Sequence, residues 1–272
     1  MLTQGSIVTA IRSNKYHDFP CYGVIISARC DIANKKIEKI YYLEALELKK
    51  WIFSNVCFFT TMSKRTKTLI NALKKFCEEN NLVWDVVKNF SSEEFNKVVD
   101  SEIKGKRIVP FKDSFQEYKK YTNDELTIEQ KKEIYDHNIN SLCTLVSEIV
   151  AGKYMHFTYI PKSGLTSDFP NGIVVDLQEL DYFDFETSID LEQCNIDDKN
   201  LSLSAEKRNE YSKKFILDKD PGYSVELCKI ESPWIEYLMQ RFSNAFIRIG
   251  VDFPSKDETK DMINVILNEV KI

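Results

Sequence analysis

The hydrophobic period of this chain changes twice, and that change limits what it can fold into. Before residue 63 the apolar residues fall in short β-favouring runs, "GSIVTAI", "YGVIIS" and "KIYYLEALEL". From about residue 63 to 150 they recur at every third or fourth position, the spacing of one helix face. Strand character returns in "KYMHFTYIP" and "NGIVVDLQELDYF", joined by a loop marked by Pro161, Pro170 and the Asn171–Gly172 pair. This alternation predicts an α+β protein, with a small curved sheet drawn from both sides of a helical insertion.

Helix boundaries follow from capping residues. Ser63 is positioned to cap a helix carrying Leu69, Ile70, Leu73, Phe76 and Cys77 on one face. Ser91 with Glu94, and Thr127 with Gln130, form capping boxes. The second opens a longer helix through Ile139, Leu142, Val146 and Ile149 that stops at Gly152. "DIANKKIEK" has the Asn and Lys content of an exposed hairpin. Near the C-terminus, Ser232 and Pro233 start a helix striped by Ile235, Leu238, Met239, Phe242, Ala245, Phe246 and Ile249, with Gly250 at its end. Ser255 and Glu258 cap a last helix over "MINVILNEV". Four regions result: strands over 1–62, a helical insertion over 63–152, returning strands and an acidic loop over 153–200, and a helical region over 201–272.

Composition excludes several function classes. With 43% hydrophobic and 29% charged residues among 272, the chain can bury a core. Eight glycines, with no P-loop and no GxGxxG, argue against a common nucleotide-binding α/β enzyme, and no cofactor is expected. A net charge of −5 calls for no polyanionic partner. Seven cysteines without a CxxC pair suit a reduced compartment. "MLTQGSIVTAIRSN" lacks a basic stretch followed by an apolar run, and no apolar run approaches a membrane span, so a cytoplasmic protein is expected. From Asp176 to Asp198 there are nine carboxylates and no Lys or Arg. Without an alternating D-x-D-x-D-G loop, that run reads as a solvated face rather than a metal cage.

"QGSIVTA" followed by "YGVIISARCDIANKK" resembles the opening of MazF/PemK-type proteins. "GVIISARCDIAN", "MHFTYIP", "GIVVDLQEL" and "SPWIEYLMQRFSNAFIRIGV" together resemble a poorly characterised prokaryotic family with a MazF/PemK-like N-terminal region. The likeness leaves the 63–150 block outside. It implies an SH3-like barrel with a large helical insertion and C-terminal helices. It also implies an accessory role, in anti-phage or toxin-related gene clusters, through a protein partner encoded nearby. The toxin family places an Arg before the buried strand, where this chain has Cys21.

Several residues carry candidate chemistry. Cleaving RNA through its 2′-hydroxyl needs a proton acceptor, a proton donor and a cation for the developing phosphorane charge. Arg12, His17, Ser27, Arg29 and Asp31 would supply these under the alternative, a metal-independent endoribonuclease. Cys30–Asp31 reads either as a nucleophile with an orienting carboxylate toward His17 or His156, or as a small strand-end residue beside a turn-capping Asp. Asp31 and Asp176 each follow an apolar run, which suggests one shared barrel rim, where the two carboxylates either bind a cation or cap loops. Arg241 and Arg248, seven residues apart, either clamp an anionic group or bridge to the acidic run. Lys64, Arg65, Lys67, Lys74 and Lys75 form the basic face best suited to nucleic acid. With Trp51, Phe53, Phe58 and Phe59 they support a third reading, a single-strand binder, although those aromatics read more naturally as core. The leading expectation is a non-catalytic, protein-binding component with no membrane association.

Overall fold

The computed structural model describes residues 2–17, 19–103, 108–166, 169, 171–189, 213, 215 and 226–249. Strands β1 (Ser6–Ile11), β2 (Cys21–Ile25) and β3 (Lys39–Glu47) pair antiparallel with one another. β4 (Phe157–Ile160) and β5 (Ile173–Asp184) form a second hairpin, and β5 pairs with β3 across more than a hundred intervening residues. With β6 (Glu226–Lys229) the order is β4-β5-β3-β2-β1-β6. Early and late strands therefore share one sheet. The sheet curls as a half-barrel. The segment after β4 meets the segment after β6 through a Leu165–Ile230 bridge, and the Thr166 N–H donates to the Lys229 carbonyl at 3.0 Å.

Alternation along β3 sorts the strand into two layers. Ile40, Tyr42 and Leu46 point into one core, Leu43 and Ala45 into the other. The first core is closed by α2 (Leu48–Phe53), the first half of α3 (Asn55–Glu79), α7 (Ile128–His137) and α8 (Ile139–Val150). α9 (Trp234–Ile249) covers the second with Ile235, Leu238 and Ala245. α3 outruns the sheet. Its 25 residues span about 37 Å at 1.5 Å each. Cys57, Phe58, Met62 and Leu69 belong to the sheet core, whereas Leu73, Phe76 and Cys77 belong to a separate cluster. There they meet Val87 of α4 (Trp84–Val87), Phe95 and Val99 of α5 (Ser92–Glu102) and Phe115 of α6 (Val109–Tyr121). The Phe95 and Phe115 rings stack with centroids 4.0 Å apart.

Several boundaries differ from expectation. Helix begins at Leu48 rather than near 63, and the α3 cap is Ser54, whose side chain accepts from the Cys57 N–H at 3.2 Å. Ser63 lies inside α3 and donates to the Thr60 carbonyl. The aromatic density of "WIFSNVCFF" favours a strand, but Phe58, Met62, Leu69, Leu73 and Phe76 extend one helical stripe, and packing decides. "DIANKKIEK" does connect the antiparallel neighbours β2 and β3, but the connection opens within a helical turn, α1 (Arg29–Ala33). Both internal capping boxes form. The second helix is broken at Asn138, whose side-chain amide donates to the Ile134 carbonyl and separates α7 from α8. Residues 190–198, Gly250 and the "MINVILNEV" segment lie outside the described residues.

Candidate functional site

The main polar cluster grows from a bulge in β5. Leu43 pairs with Leu180 and Ala45 with Val175, so three extra β5 residues sit opposite Glu44. Such an insertion re-aims side chains. Asp176 points into the first core and is 1% exposed. The loop between β1 and β2 crosses β2 and β3 to reach it. The Tyr16 hydroxyl and the Lys15 ammonium each donate to Asp176 Oδ2 at 2.7 Å, and Lys15 reaches Glu179 Oε1 at 3.1 Å. Asp176 Oδ1 accepts the Gln178 N–H at 3.0 Å, which ties the bulge to itself. On β3, Glu44 accepts the Ser13 hydroxyl at 2.5 Å, and Ser13 Oγ accepts the N–H groups of Lys15 and Tyr16 at 3.0 Å each.

These contacts set the local electrostatics. Burial raises the Glu44 carboxyl to about 7; the Ser13 hydrogen bond opposes this, and the nearby Glu179 and Asp176 charges add to it. For Lys15, burial favours the neutral amine, but Asp176 and Glu179 outweigh it and the ammonium is held more firmly than usual. Burial and Asp176 both push the Tyr16 phenol up, and burial with Glu44 pushes the Cys21 thiol up. Lysine stays charged and both Tyr16 and Cys21 stay protonated near neutrality. Cys21 therefore has none of the thiolate character a nucleophile needs. The ion pair and the hydroxyls satisfy one another, which describes a latch between loop and sheet.

Ser13, Lys15, Tyr16 and Glu44 were not singled out from sequence. One signal existed: in "KIYYLEALEL", Glu44 shares the inward parity of Ile40, Tyr42 and Leu46, a carboxylate at a core position.

The expected site residues are dispersed. Arg12 and His17 are exposed on the β1–β2 loop, at the end where β2 begins. Ser27 lies beyond the other end of that strand, buried, its Oγ accepting the Tyr41 N–H at 2.8 Å. Arg29 is exposed on α1. Five residues of β2, about 16 Å at 3.3 Å each, separate the two groups, so a single ribonuclease constellation is not assembled. Cys30 is exposed, with its sulfur 3.5 Å from Asp31 Oδ1, and Asp31 belongs to the first turn of α1. Asp31 and Asp176 do not share a rim. Asp31 follows the end of β2 that pairs near Tyr41–Tyr42, while Asp176 faces inward beyond Glu44.

Arg241 donates to the Tyr154 carbonyl and to Thr158 Oγ1 of β4 at 3.4 Å, and the 190–198 part of the acidic run it was expected to bridge lies outside the described residues. The side chain of Arg248 lies outside the described residues. Lys64, Arg65, Lys67, Lys74 and Lys75 are all exposed on α3. Arg65 forks onto Glu117 at 2.9 and 3.1 Å, and Lys75 lies 3.9 Å from Glu79. Trp51 and Phe58 are fully buried, which removes them as stacking platforms. Part of the acidic run is not solvated: Asp176 is latched, and Asp181 accepts the Tyr42 hydroxyl at 3.1 Å.

Among the described residues no cluster of three or more His, Cys, Asp or Glu is placed to hold a metal, and no helix is long and apolar enough to cross a membrane. The fold and the latch define an α+β protein built on a curled antiparallel sheet. Comparison with protein-family models, curated proteins and solved structures finds no match.

Proposed function

We propose that this chain is a protein-binding accessory component without catalysis of its own, built on an SH3-like barrel of the MazF/PemK kind and serving a prokaryotic anti-phage or toxin-related system. One observation carries the reading: α3 extends past the sheet and supports a second aromatic core whose outer edge is apolar. Val83 and Val86, on the short α4 segment, are 63% and 54% exposed, beside half-buried Leu82, Trp84 and Phe90. Large apolar side chains grouped at the end of a projecting helical unit suit a partner surface better than solvent. The separation of Arg12 and His17 from Ser27 and Arg29 supports the non-catalytic part.

Purification from the native host is expected to recover one partner in stoichiometric amount. Val83→Asp with Val86→Asp is expected to lose that partner while the circular dichroism spectrum is unchanged. Recovery of the bare chain contradicts the reading. RNA cleavage in EDTA leaving cyclic phosphate ends, abolished by Arg29→Ala, replaces it with a ribonuclease.

A further inference from the structure

α8 is apolar around more of its circumference than its buried face accounts for. Its inner stripe, Leu142, Leu145 and Ile149, is buried in the sheet core. A second stripe, Ile139, Cys143, Val146 and Val150, recurs at intervals of four, three and four residues, about 100° further round the helix. Ile139 and Val150 are 49% and 52% exposed, Cys143 is exposed and Val146 is half-buried. Charge sets α8 apart as well. The helices before it, α5, α6 and α7, carry five Asp, Glu, Lys or Arg residues each, the usual mark of a helix with one face in water. α8 carries one in its twelve residues, Glu148, on the side of the helix away from the second stripe. The polar neighbours of that stripe, Asn140 and Ser147, are uncharged.

We propose that the outer stripe of α8 is a docking seam for a second copy of this chain, joined through an antiparallel pair of α8 helices about a two-fold axis. The spacing is that of a coiled-coil seam, and it matches itself. An axis passing between Thr144 and Leu145 sets Ile139 opposite the partner's Val150 and Cys143 opposite the partner's Val146. An aliphatic pair then closes each end, and a smaller pair meets on either side of the axis. Because the stripe and its flanks are uncharged, two copies of a chain with net charge −5 meet there without apposing like charges. A charged partner surface finds nothing there to pair with. At 1.5 Å per residue the helix is about 18 Å long, short of a standard interface, so the dimer is weak, with Kd about 10–100 µM. This seam belongs to the sheet core, whereas Val83 and Val86 edge the outer cluster, so self-association is independent of the partner proposed above.

Sedimentation equilibrium of the purified full chain tests this. The weight-average mass is expected to rise from near the monomer value at about 5 µM towards the dimer value at about 300 µM. Ile139→Glu with Val150→Glu is expected to stay monomeric with an unchanged circular dichroism spectrum, while Val83→Asp with Val86→Asp associates like the parent. Alkylation of Cys143 reads the seam in the unaltered chain, so the test stands even where the glutamate variant fails to fold. Its rate is expected to fall about threefold over the same range, while that of Cys30, exposed on α1, stays constant. A chain that remains monomeric at about 300 µM overturns the proposal, and a different protein or another segment of this chain seated on the stripe gives that result. Association that survives the two glutamates, or is lost with Val83→Asp and Val86→Asp, overturns it too, as does a Cys143 rate independent of concentration.

Discussion

The two halves of α3 sit in different worlds. The first half is locked into a core that also contains two strand hairpins, α7, α8 and the β1–β2 loop, fixed by a half-buried lysine on a buried aspartate. The second half holds a local cluster assembled by residues 73–115, with no strand in it. Contacts of the first kind join strands more than a hundred residues apart, as β3 with β5, whereas those of the second lie within one stretch of chain and span about 20 to 40 residues. The sheet core joins distant segments, while the outer cluster is drawn from one stretch of chain and is the region proposed above to meet a partner.

Predictions that sharpen the contrast can be ordered by size. Phe58→Ala removes a fully buried ring that packs against Phe59 and Tyr135, and is expected to cost about 3–5 kcal/mol of global stability in urea titration. Asp176→Ala leaves the Lys15 ammonium and the Tyr16 hydroxyl without their acceptor. About 3 kcal/mol is expected, with Tyr16 becoming accessible to iodination.

Glu44→Gln should act in the opposite direction and depend on pH. The Glu44 carboxyl is raised from 4.5 to about 7, so the stability it contributes is complete below pH 4.5 and lost as pH rises through 7. Glutamine keeps an acceptor for Ser13 and never ionises. The variant is expected to be more stable than the parent by about 1–3 kcal/mol at pH 8 and no more stable at pH 4.5, as read from thermal melts. Smallest is the exposed Arg65–Glu117 fork between α3 and α6. A double-mutant cycle there is expected to return about 0.2–1 kcal/mol, falling with salt.

Part of the fold was legible in sequence. The Ser91–Glu94 and Thr127–Gln130 boxes form, the Ile235–Leu238–Ala245 stripe packs, and the β runs before 48 and after 156 join one sheet, whereas Ser63 lies inside α3 rather than at its start. Strand register was not legible. The register that puts three extra residues of β5 opposite Glu44 arises only when two segments meet, so Asp176 read as a rim residue and its partner Lys15 was not noticed. Trp51 and Phe58 have strand propensity, yet their burial against Phe157 and Tyr135 fixes them as helical. Ser27 looked like a reactive strand end, but its hydroxyl holds the start of β3.

The most direct test of the division between the two cores is native-state hydrogen exchange on Phe95→Ala, which opens a cavity beside Phe115 and Phe76. Protection is predicted to collapse between residues 73 and 121 while β3, β5 and the first half of α3 retain theirs. Loss of protection in β3 and β5 to the same extent would show one cooperative core and contradict the account.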